Sequence, residues 1–122
     1  MTNIPFFSVV IPLYNRADVV TDTIRSVLAQ DWSDFEIVVV DDGSHDNPGP
    51  VIEAIGDPRL RYIRQDNAGG GAARNRGILA AEGRYIAFLD SDDLFLPGKL
   101  STMAEALAGD GGRTVLYSRM KV

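Results

Sequence analysis

The chain has 122 residues, a formal net charge of −5 and no cysteine. This length suits a single domain, and the lack of cysteine excludes disulfides and thiolate metal sites. The acidic balance argues against a nucleic-acid partner, because nucleic-acid binding depends largely on basic side chains that neutralise phosphates.

The first half of the chain alternates short apolar runs with helical patterns. Residues 7–13 are apolar and β-branched, which predicts a buried strand, and residues 18–30 follow with apolar side chains at helical spacing. Residues 35–40 predict a second buried strand, and residues 48–55 predict a short helix with a proline in its first turn. Residues 60–64 alternate in polarity, which is typical of a strand near a sheet edge.

The second half continues this alternation. Residues 70–81 predict a helix, residues 85–89 a buried strand, residues 99–108 a helix and residues 115–118 a last short strand. The expected packing positions of the 70–81 helix are Ala72, Ala73, Ile78 and Leu79. Strands that alternate with helices form right-handed βαβ units. We therefore predict one α/β domain over residues 1–122, a three-layer α/β/α sandwich with a mostly parallel sheet.

Three segments that directly follow buried strands are candidate ligand contacts. They are residues 12–16, residues 41–44 and residues 90–93. Ligands of open α/β sheets bind outside the carboxyl ends of the strands. Two of these segments are rich in aspartate, and parallel strands would bring them to one edge of the sheet.

The acidic run at residues 90–93 allows two interpretations. In extended backbone, residues i and i+2 point to one side, so Asp90 and Asp92 could share a site while Asp93 turns away. Carboxylate oxygens suit Mg²⁺ or Mn²⁺, which commonly bind one or two protein carboxylates together with phosphate oxygens. The alternative is that the run caps the helix that follows it.

The second acidic segment and the glycine-rich segment are also ambiguous. Asp41 and Asp42 could accept a hydrogen bond from a base or a ribose hydroxyl, or could simply form a turn with the glycine after them. The three glycines at residues 69–71 open a helix that carries Arg74 and Arg76. Helix-start amides and Arg74 could bind phosphate, or the glycines could be a flexible loop and Arg74 an exposed helical side chain.

A histidine, a tryptophan and a tyrosine lie in segments between the predicted elements. His45 lies in a polar loop and is expected to be solvated, without a catalytic role. Trp32 follows the first helix and is expected to pack rather than to bind a sugar. Tyr14 lies at the expected ligand edge, and its role stays open.

Five segments together resemble the family 2 glycosyltransferases of the GT-A fold. They are residues 9–15 (VVIPLYN), 26–30 (SVLAQ), 40–44 (VDDGS), 67–77 (NAGGGAARNRG) and 88–93 (FLDSDD). The resemblance extends over nearly all of the chain from Phe7 onward, in the family's order and spacing. It implies a Rossmann-like nucleotide-diphospho-sugar transferase fold, and it favours the metal interpretation of the acidic run.

The resemblance also implies roles for the acidic run. Residues 90–92 match the D-x-D motif of the family. Asp92 would bind Mn²⁺ or Mg²⁺ and, through the ion, the donor diphosphate. Asp90 would lie near the ribose, and Ser91 between them would belong to the nucleotide-binding residues.

Four other residues match nucleotide-contacting positions of the family. Asp42 would accept a hydrogen bond from the base, most often uracil. Pro12 and Tyr14 would flank that base, and Arg74 would lie near the nucleotide. The expected donor is therefore a nucleotide-diphosphate sugar, with a UDP-sugar as the leading candidate.

The implied reaction is inverting transfer of the sugar to a hydroxyl of a glycan or lipid-linked acceptor. The metal would stabilise charge on the leaving nucleoside diphosphate, and a carboxylate base would deprotonate the acceptor. In this family that base lies further along than residue 122. We therefore assign no catalytic residue and expect a truncated chain that is inactive alone.

Two other functions remain open at this point. One is a non-catalytic nucleotide-binding module of the same fold. The other is a nucleotidyltransferase, although residues 12–16 lack the glycine-rich basic loop expected after its first strand.

The expected setting is polysaccharide or cell-envelope biosynthesis, in the cytoplasm and peripheral to the inner face of the membrane. No apolar run approaches the roughly 18 residues of a membrane span. An uncovered sheet edge could pair with a second copy and make a homo-oligomer.

Overall fold

The structure, a computed structural model, describes residues 4–108 and the backbone of residues 114–117. Its five strands are β1 (Phe7–Leu13), β2 (Phe35–Asp42), β3 (Leu60–Gln65), β4 (Tyr85–Phe88) and β5 (Thr114–Tyr117). Its four helices are α1 (Val20–Leu28), α2 (Pro48–Glu53), α3 (Gly70–Ala80) and α4 (Lys99–Ala106). The predicted alternation of strands and helices is confirmed, while position 118 of the predicted last strand lies outside the described residues.

The five strands form one sheet in the order β3-β2-β1-β4-β5, and every neighbouring pair is parallel. Strand β1 lies at the centre, where Phe7 is opposite Phe35 on one side and Tyr85 on the other. Strand β3 lies at an edge, as its alternating pattern predicted. Because β4 adds on the other side of β1 from β2, the strand order reverses between β1 and β4, which is where ligands of such sheets bind.

The helices cover both faces of the sheet. One apolar cluster joins α1, α2 and α4 to one face, through buried residues such as Ile24, Ile52 and Leu100. A second cluster joins α3 to the opposite face through Ala73 and Val10. Alternate residues of the strands supply the two clusters, as the period of two in a β-strand requires. The predicted three-layer α/β/α sandwich is therefore confirmed.

Helix α3 lies against the sheet through its smallest residues. Ala73 and Gly77, one turn apart, are its buried positions. A Cβ atom at Gly77 would lie 2.3 Å from Cγ1 of Val10, so only glycine fits there without movement of the strand. Predicting Leu79 as a packing position was wrong, since this side chain is 83% exposed. Leu79 is two residues beyond Gly77, about 200° around the helix, and therefore faces away from the sheet.

None of the helices in the described ranges is long and apolar enough to cross a membrane.

Candidate functional site

A cavity of about 450 Å³ opens at the carboxyl edge of the sheet. Segments that follow β1, β2, β3 and β4 form its walls together with the first turns of α3. All seven predicted site residues line this cavity, namely Pro12, Tyr14, Asp42, Arg74, Asp90, Ser91 and Asp92. The structure thus brings together residues that are up to 80 positions apart in the sequence. Their individual roles stay predictions.

The acidic run is a turn rather than the extended segment that we expected. The backbone amide of Asp93 donates to the carbonyl of Asp90 at 3.0 Å, which closes the turn. Asp90 and Asp92 both line the cavity, whereas Asp93 is buried in the fold. The capping alternative is wrong, because α4 begins only at Lys99 and no side chain caps it as the residue before its first turn.

The Asp92 carboxylate is available to a ligand. It is exposed, and it makes no hydrogen bond or ion pair within the described part of the chain. That part contains no group of three His, Cys, Asp or Glu residues that could hold a metal ion by itself. Asp90 and Asp92 nevertheless fit the donor set that Mg²⁺ uses with phosphorylated substrates, one or two carboxylates completed by phosphate oxygens and water.

Arg74 brings a positive charge to the same cavity. Its guanidinium meets the Asp90 carboxylate only at 3.5 Å, between Nη2 and Oδ1. Its Nε is enclosed and has no hydrogen-bond partner among the described residues. The protein therefore satisfies this guanidinium incompletely, and an anionic ligand could complete its bonding. This geometry argues against the alternative of a fully exposed helical arginine.

Asp42 organises the part of the cavity wall that the 67–69 loop forms. Its Oδ1 accepts hydrogen bonds from Gln65 Nε2 and the amide of Ala68, both at 2.8 Å. Its Oδ2 accepts from the amide of Gly69 at 2.9 Å and from Asn67 Nδ2 at 3.2 Å. Burial alone would raise the pKa of this carboxyl, but these hydrogen bonds outweigh burial and hold its pKa below the ordinary value of 3.8. A base N–H could bond to Asp42 only by displacing one of these donors.

Asp41 is a structural residue and does not line the cavity. Its carboxylate is fully buried and accepts hydrogen bonds from the Tyr62 hydroxyl, from Arg64 at 2.7 Å and from the Ser44 amide at 2.9 Å. Burial raises its pKa, but the Ser44 and Tyr62 hydrogen bonds and the Arg64 charge outweigh burial, so the pKa is lowered overall. Successive residues of a strand point to opposite faces, which separates Asp41 from Asp42.

Gly43 allows the wall to close behind Asp42. Its φ of +75° suits glycine, and a Cβ atom there would lie 2.8 Å from the backbone nitrogen of Asn67. The turn that the D-D-G pattern predicted therefore exists, and it also lets the 67–69 loop approach β2.

The predicted packing of Trp32 and the predicted exposure of His45 are confirmed. Trp32 packs on Phe6, with ring centroids 5.0 Å apart. His45 is exposed, and its ring lies edge-on to Tyr14 at 6.4 Å. Tyr14 itself is 45% exposed at the rim of the cavity.

Sequence reasoning missed part of the lining. Leu13 and Arg16 belong to the predicted ligand segment of residues 12–16, and Gly69 and Gly70 to the glycine-rich segment for which phosphate binding was left open. Asn67 and Ala73 also line the cavity, and neither was predicted to contact a ligand.

Comparison with known proteins identifies the family. The model of the family described as Glycosyl transferase family 2 matches residues 8–122. The succinoglycan biosynthesis protein ExoO of Rhizobium meliloti is 46% identical over 111 residues, 90% of this chain and 32% of that protein. The uncharacterized glycosyltransferase YibD of Escherichia coli is 42% identical over 106 residues, 84% of this chain and 31% of that protein. The chain thus spans about a third of these two relatives.

Solved structures share the fold. Residues 1–349 of TarS from S. aureus, in complex with UDP-GlcNAc, match with a TM-score of 0.79 and 34% identity over 84% of this chain and 31% of that one. The mannosyltransferase PcManGT from Pyrobaculum calidifontis, in complex with GDP-Man and Mn²⁺, matches with a TM-score of 0.79 and 26% identity over 89% of this chain and 34% of that one. The chain therefore belongs to glycosyl transferase family 2 and has the GT-A fold.

Proposed function

We propose that this chain is the donor-binding part of an inverting glycosyltransferase that transfers a sugar from a UDP-sugar to an acceptor hydroxyl. The observation that carries the proposal is the cavity in which the unbonded Asp92 carboxylate faces the same space as Asp90, Arg74 and the 67–69 loop. The TarS complex with UDP-GlcNAc and the PcManGT complex with GDP-Man support a nucleotide-sugar donor.

The acidic turn supplies the metal-binding part of the proposed site. Asp92, with Asp90, would hold Mg²⁺ or Mn²⁺, and the PcManGT complex with Mn²⁺ supports this choice of ion. When bound, a divalent ion neutralises a diphosphate and stabilises the charge that develops on it as a leaving group. Because Asp92 has no partner within the described chain, it can accept a cation without first breaking a bond in the protein.

Arg74 and the start of α3 supply positive charge and backbone donors to the cavity. Arg74 provides a guanidinium that matches phosphate oxygens. The first turn of α3, which begins at Gly70, has amides without helical acceptors and the positive end of the helix dipole. Gly69 and Gly70 both line the cavity, so these groups can lie close to an anionic ligand.

The base and ribose would occupy the side formed by Pro12, Tyr14 and Asp42. Tyr14 offers an exposed ring at the rim, suited to stacking on a flat base. Asp42 contributes by holding the loop beside the base, and a direct bond to a base N–H would replace the longest of its four bonds, the one from Asn67 at 3.2 Å. Ser91 would contribute through the turn backbone, since its side chain is mostly buried.

We place the acceptor among growing polysaccharides, either free or lipid-linked. The support is in the names of the relatives, which include a succinoglycan biosynthesis protein and the putative colanic acid biosynthesis glycosyl transferase WcaA of Escherichia coli.

Calorimetric titration with UDP, with and without Mn²⁺, tests the proposal. We expect Mn²⁺ to raise the UDP affinity of the unmodified chain at least about tenfold, a gain of about 1.4 kcal/mol. Asp92→Asn should remove this gain without changing the melting temperature, because the side chain is exposed and unbonded. Asp66→Asn is the matched control, since Asp66 is also exposed but does not line the cavity. UDP binding that is indifferent to Mn²⁺ would contradict the assignment of Asp92.

A further inference from the structure

Helix α1 carries a polar stripe beside its apolar face. Val20, Ile24 and Val27 pack on the sheet. Thr23 and Ser26 form a second, polar stripe on the helix, and Gln30, two residues beyond its last residue Leu28, continues this stripe. Thr23 is 1% exposed and Gln30 is 8% exposed. Such buried polar groups need hydrogen-bond partners, and their partners lie some 70 residues away.

Thr23 holds the backbone carbonyls of the two residues that flank Asp92. Its hydroxyl lies 2.8 Å from the carbonyl oxygen of Ser91 and 2.8 Å from that of Asp93. A hydroxyl has one hydrogen, so it is shared between the two acceptors. The two contacts of the Thr23 hydroxyl, which we call the clamp, therefore hold the backbone of the turn. They leave the Asp92 carboxylate free to meet a ligand.

Ser26 and Gln30 hold the segment that follows the turn. The Ser26 hydroxyl accepts a hydrogen bond from the amide of Phe95 at 3.0 Å. Gln30 donates from Nε2 to the carbonyl of Leu96 at 2.9 Å and accepts at Oε1 from the amide of Leu100 at 3.0 Å. Leu100 is in the first turn of α4, where backbone amides have no helical acceptor. The capping residue Gly98 has no side chain to accept this hydrogen bond, and Gln30 accepts it instead.

The sheet gives the acidic turn little support of its own. Strand β4 ends at Phe88, and the last backbone bond to β1 in the described chain is from the amide of Leu89 to the carbonyl of Val10. Beyond that point, the polar stripe and the burial of Phe95 and Leu100 connect residues 91–100 to the core, in which Asp93 is buried as well. The side chains of the polar stripe therefore help to determine where the turn lies.

We infer that Thr23, Ser26 and Gln30 are positioning residues that fix the acidic turn, and with it the Asp92 carboxylate, at the wall of the cavity. The inference rests on the proposed role of Asp92, but it assigns a role to the SVLAQ segment that the donor contacts leave unexplained. A carboxylate that must meet both a cation and a diphosphate has to be held in place before binding. Loss of the clamp should therefore weaken metal-dependent binding more than metal-independent binding.

Amide hydrogen exchange of the ligand-free chain tests the positioning role without any metal. Thr23→Val keeps the shape of the side chain but removes the donor, leaving two buried carbonyls unbonded. We expect about tenfold faster exchange at Asp93 and Phe95, with the β1 and β2 amides unchanged. Thr23→Ser should restore slow exchange, and Thr21→Val is the matched control on the same helix. Uniformly faster exchange across the sheet would overturn the inference, because it would make Thr23 a general stabiliser.

UDP titration then connects the clamp to function. Thr23→Val should reduce the Mn²⁺-dependent gain in UDP affinity about tenfold while leaving metal-free affinity unchanged. A gain equal to that of the unmodified chain would overturn the inference. If the unmodified chain itself shows no Mn²⁺ dependence, the proposed function fails, and the exchange experiment still decides whether the clamp exists. If Thr23→Val does not fold, Gln30→Met provides a second variant, because methionine keeps the side-chain volume. In this variant we expect faster amide exchange only at Leu100 and its neighbours.

Discussion

Asp42→Asn tests whether this residue organises the loop of residues 67–69. In the folded chain each carboxylate oxygen accepts two hydrogen bonds, one of them from a backbone amide. An asparagine has one oxygen and one NH₂ group at these positions. In either rotamer its NH₂ group would face the amide of Ala68 or that of Gly69, donor against donor. The substitution therefore removes two hydrogen bonds and adds a repulsive contact, although it hardly changes the side-chain volume.

The size of the effect follows from these bonds. A hydrogen bond to a charged group contributes about 1.5–3 kcal/mol. The loop residues Asn67, Ala68 and Gly69 are exposed, so water can replace part of what is lost. We therefore expect Asp42→Asn to lower the free energy of unfolding by about 2–4 kcal/mol at neutral pH. This is near the lower end of the range for the loss of two such hydrogen bonds.

The pH dependence of stability gives an independent check that the ionised Asp42 carboxylate stabilises the fold. The pKa of Asp42 is lower in the folded chain than its ordinary value of 3.8. A lowered folded-state pKa contributes stability that is fully present above the ordinary pKa and is lost as pH falls through the folded value. The stability difference between the unmodified chain and Asp42→Asn should therefore be constant above about pH 5 and shrink below 3.8.

Urea unfolding followed by tryptophan fluorescence measures both quantities, since Trp32 is the single tryptophan of the chain. Asp66→Asn controls for loss of one negative charge, because Asp66 is exposed and lies next to the same loop. UDP titration of the same protein separates the two roles of Asp42. Equal stability with lost UDP affinity would refute loop organisation and favour a direct contact with the base.

Two further substitutions test the packing of α3. Gly77→Ala should lower the free energy of unfolding by about 1–3 kcal/mol, because the added methyl group would lie 2.3 Å from a buried methyl of Val10. Urea unfolding measures this free energy, and an unchanged midpoint would show that the helix can shift outward freely. Leu79→Lys should change the free energy of unfolding by less than about 0.5 kcal/mol, since the side chain is 83% exposed. A decrease of more than about 1 kcal/mol in the same assay would mean that another surface covers Leu79.

The strands and the location of the site could be predicted from the sequence because both depend on local signals. An apolar run that stops at aspartates marks a strand and the point where it ends. Parallel pairing then brings the ends of β1, β2 and β4 to one edge, whatever the details of the loops. This is why residues as far apart as Pro12 and Asp92 were correctly expected to lie together.

The errors arose where contacts between distant residues decide the outcome. Leu79 looked like a core residue because it is apolar, but the face of α3 that packs is set by the close approach of Gly77 to Val10. The acidic run was expected to be extended, yet the bond from Asp93 to Asp90 closes it as a turn, and the Thr23 hydroxyl, some 70 residues away in the sequence, holds its carbonyls. The contact of Gly77 with Val10 and that of Thr23 with the acidic run have no signature within their own stretches of sequence.

The two aspartates Asp42 and Asp92 show how the fold assigns different work to the same side chain. Asp42 is the last residue of β2 and Asp92 follows β4, and both line the cavity, so their sequence contexts do not distinguish them. The fold surrounds Asp42 with four donors, and its charge is used to hold the protein's own loop. It leaves the Asp92 carboxylate without a partner in the described chain, while the Thr23 hydroxyl bonds to the backbone carbonyls of the neighbouring residues Ser91 and Asp93. The loop held by Asp42 is therefore ordered before a ligand binds, and the Asp92 carboxylate is still unbonded. Binding then costs little free energy for ordering the protein, so more of the interaction free energy appears as affinity.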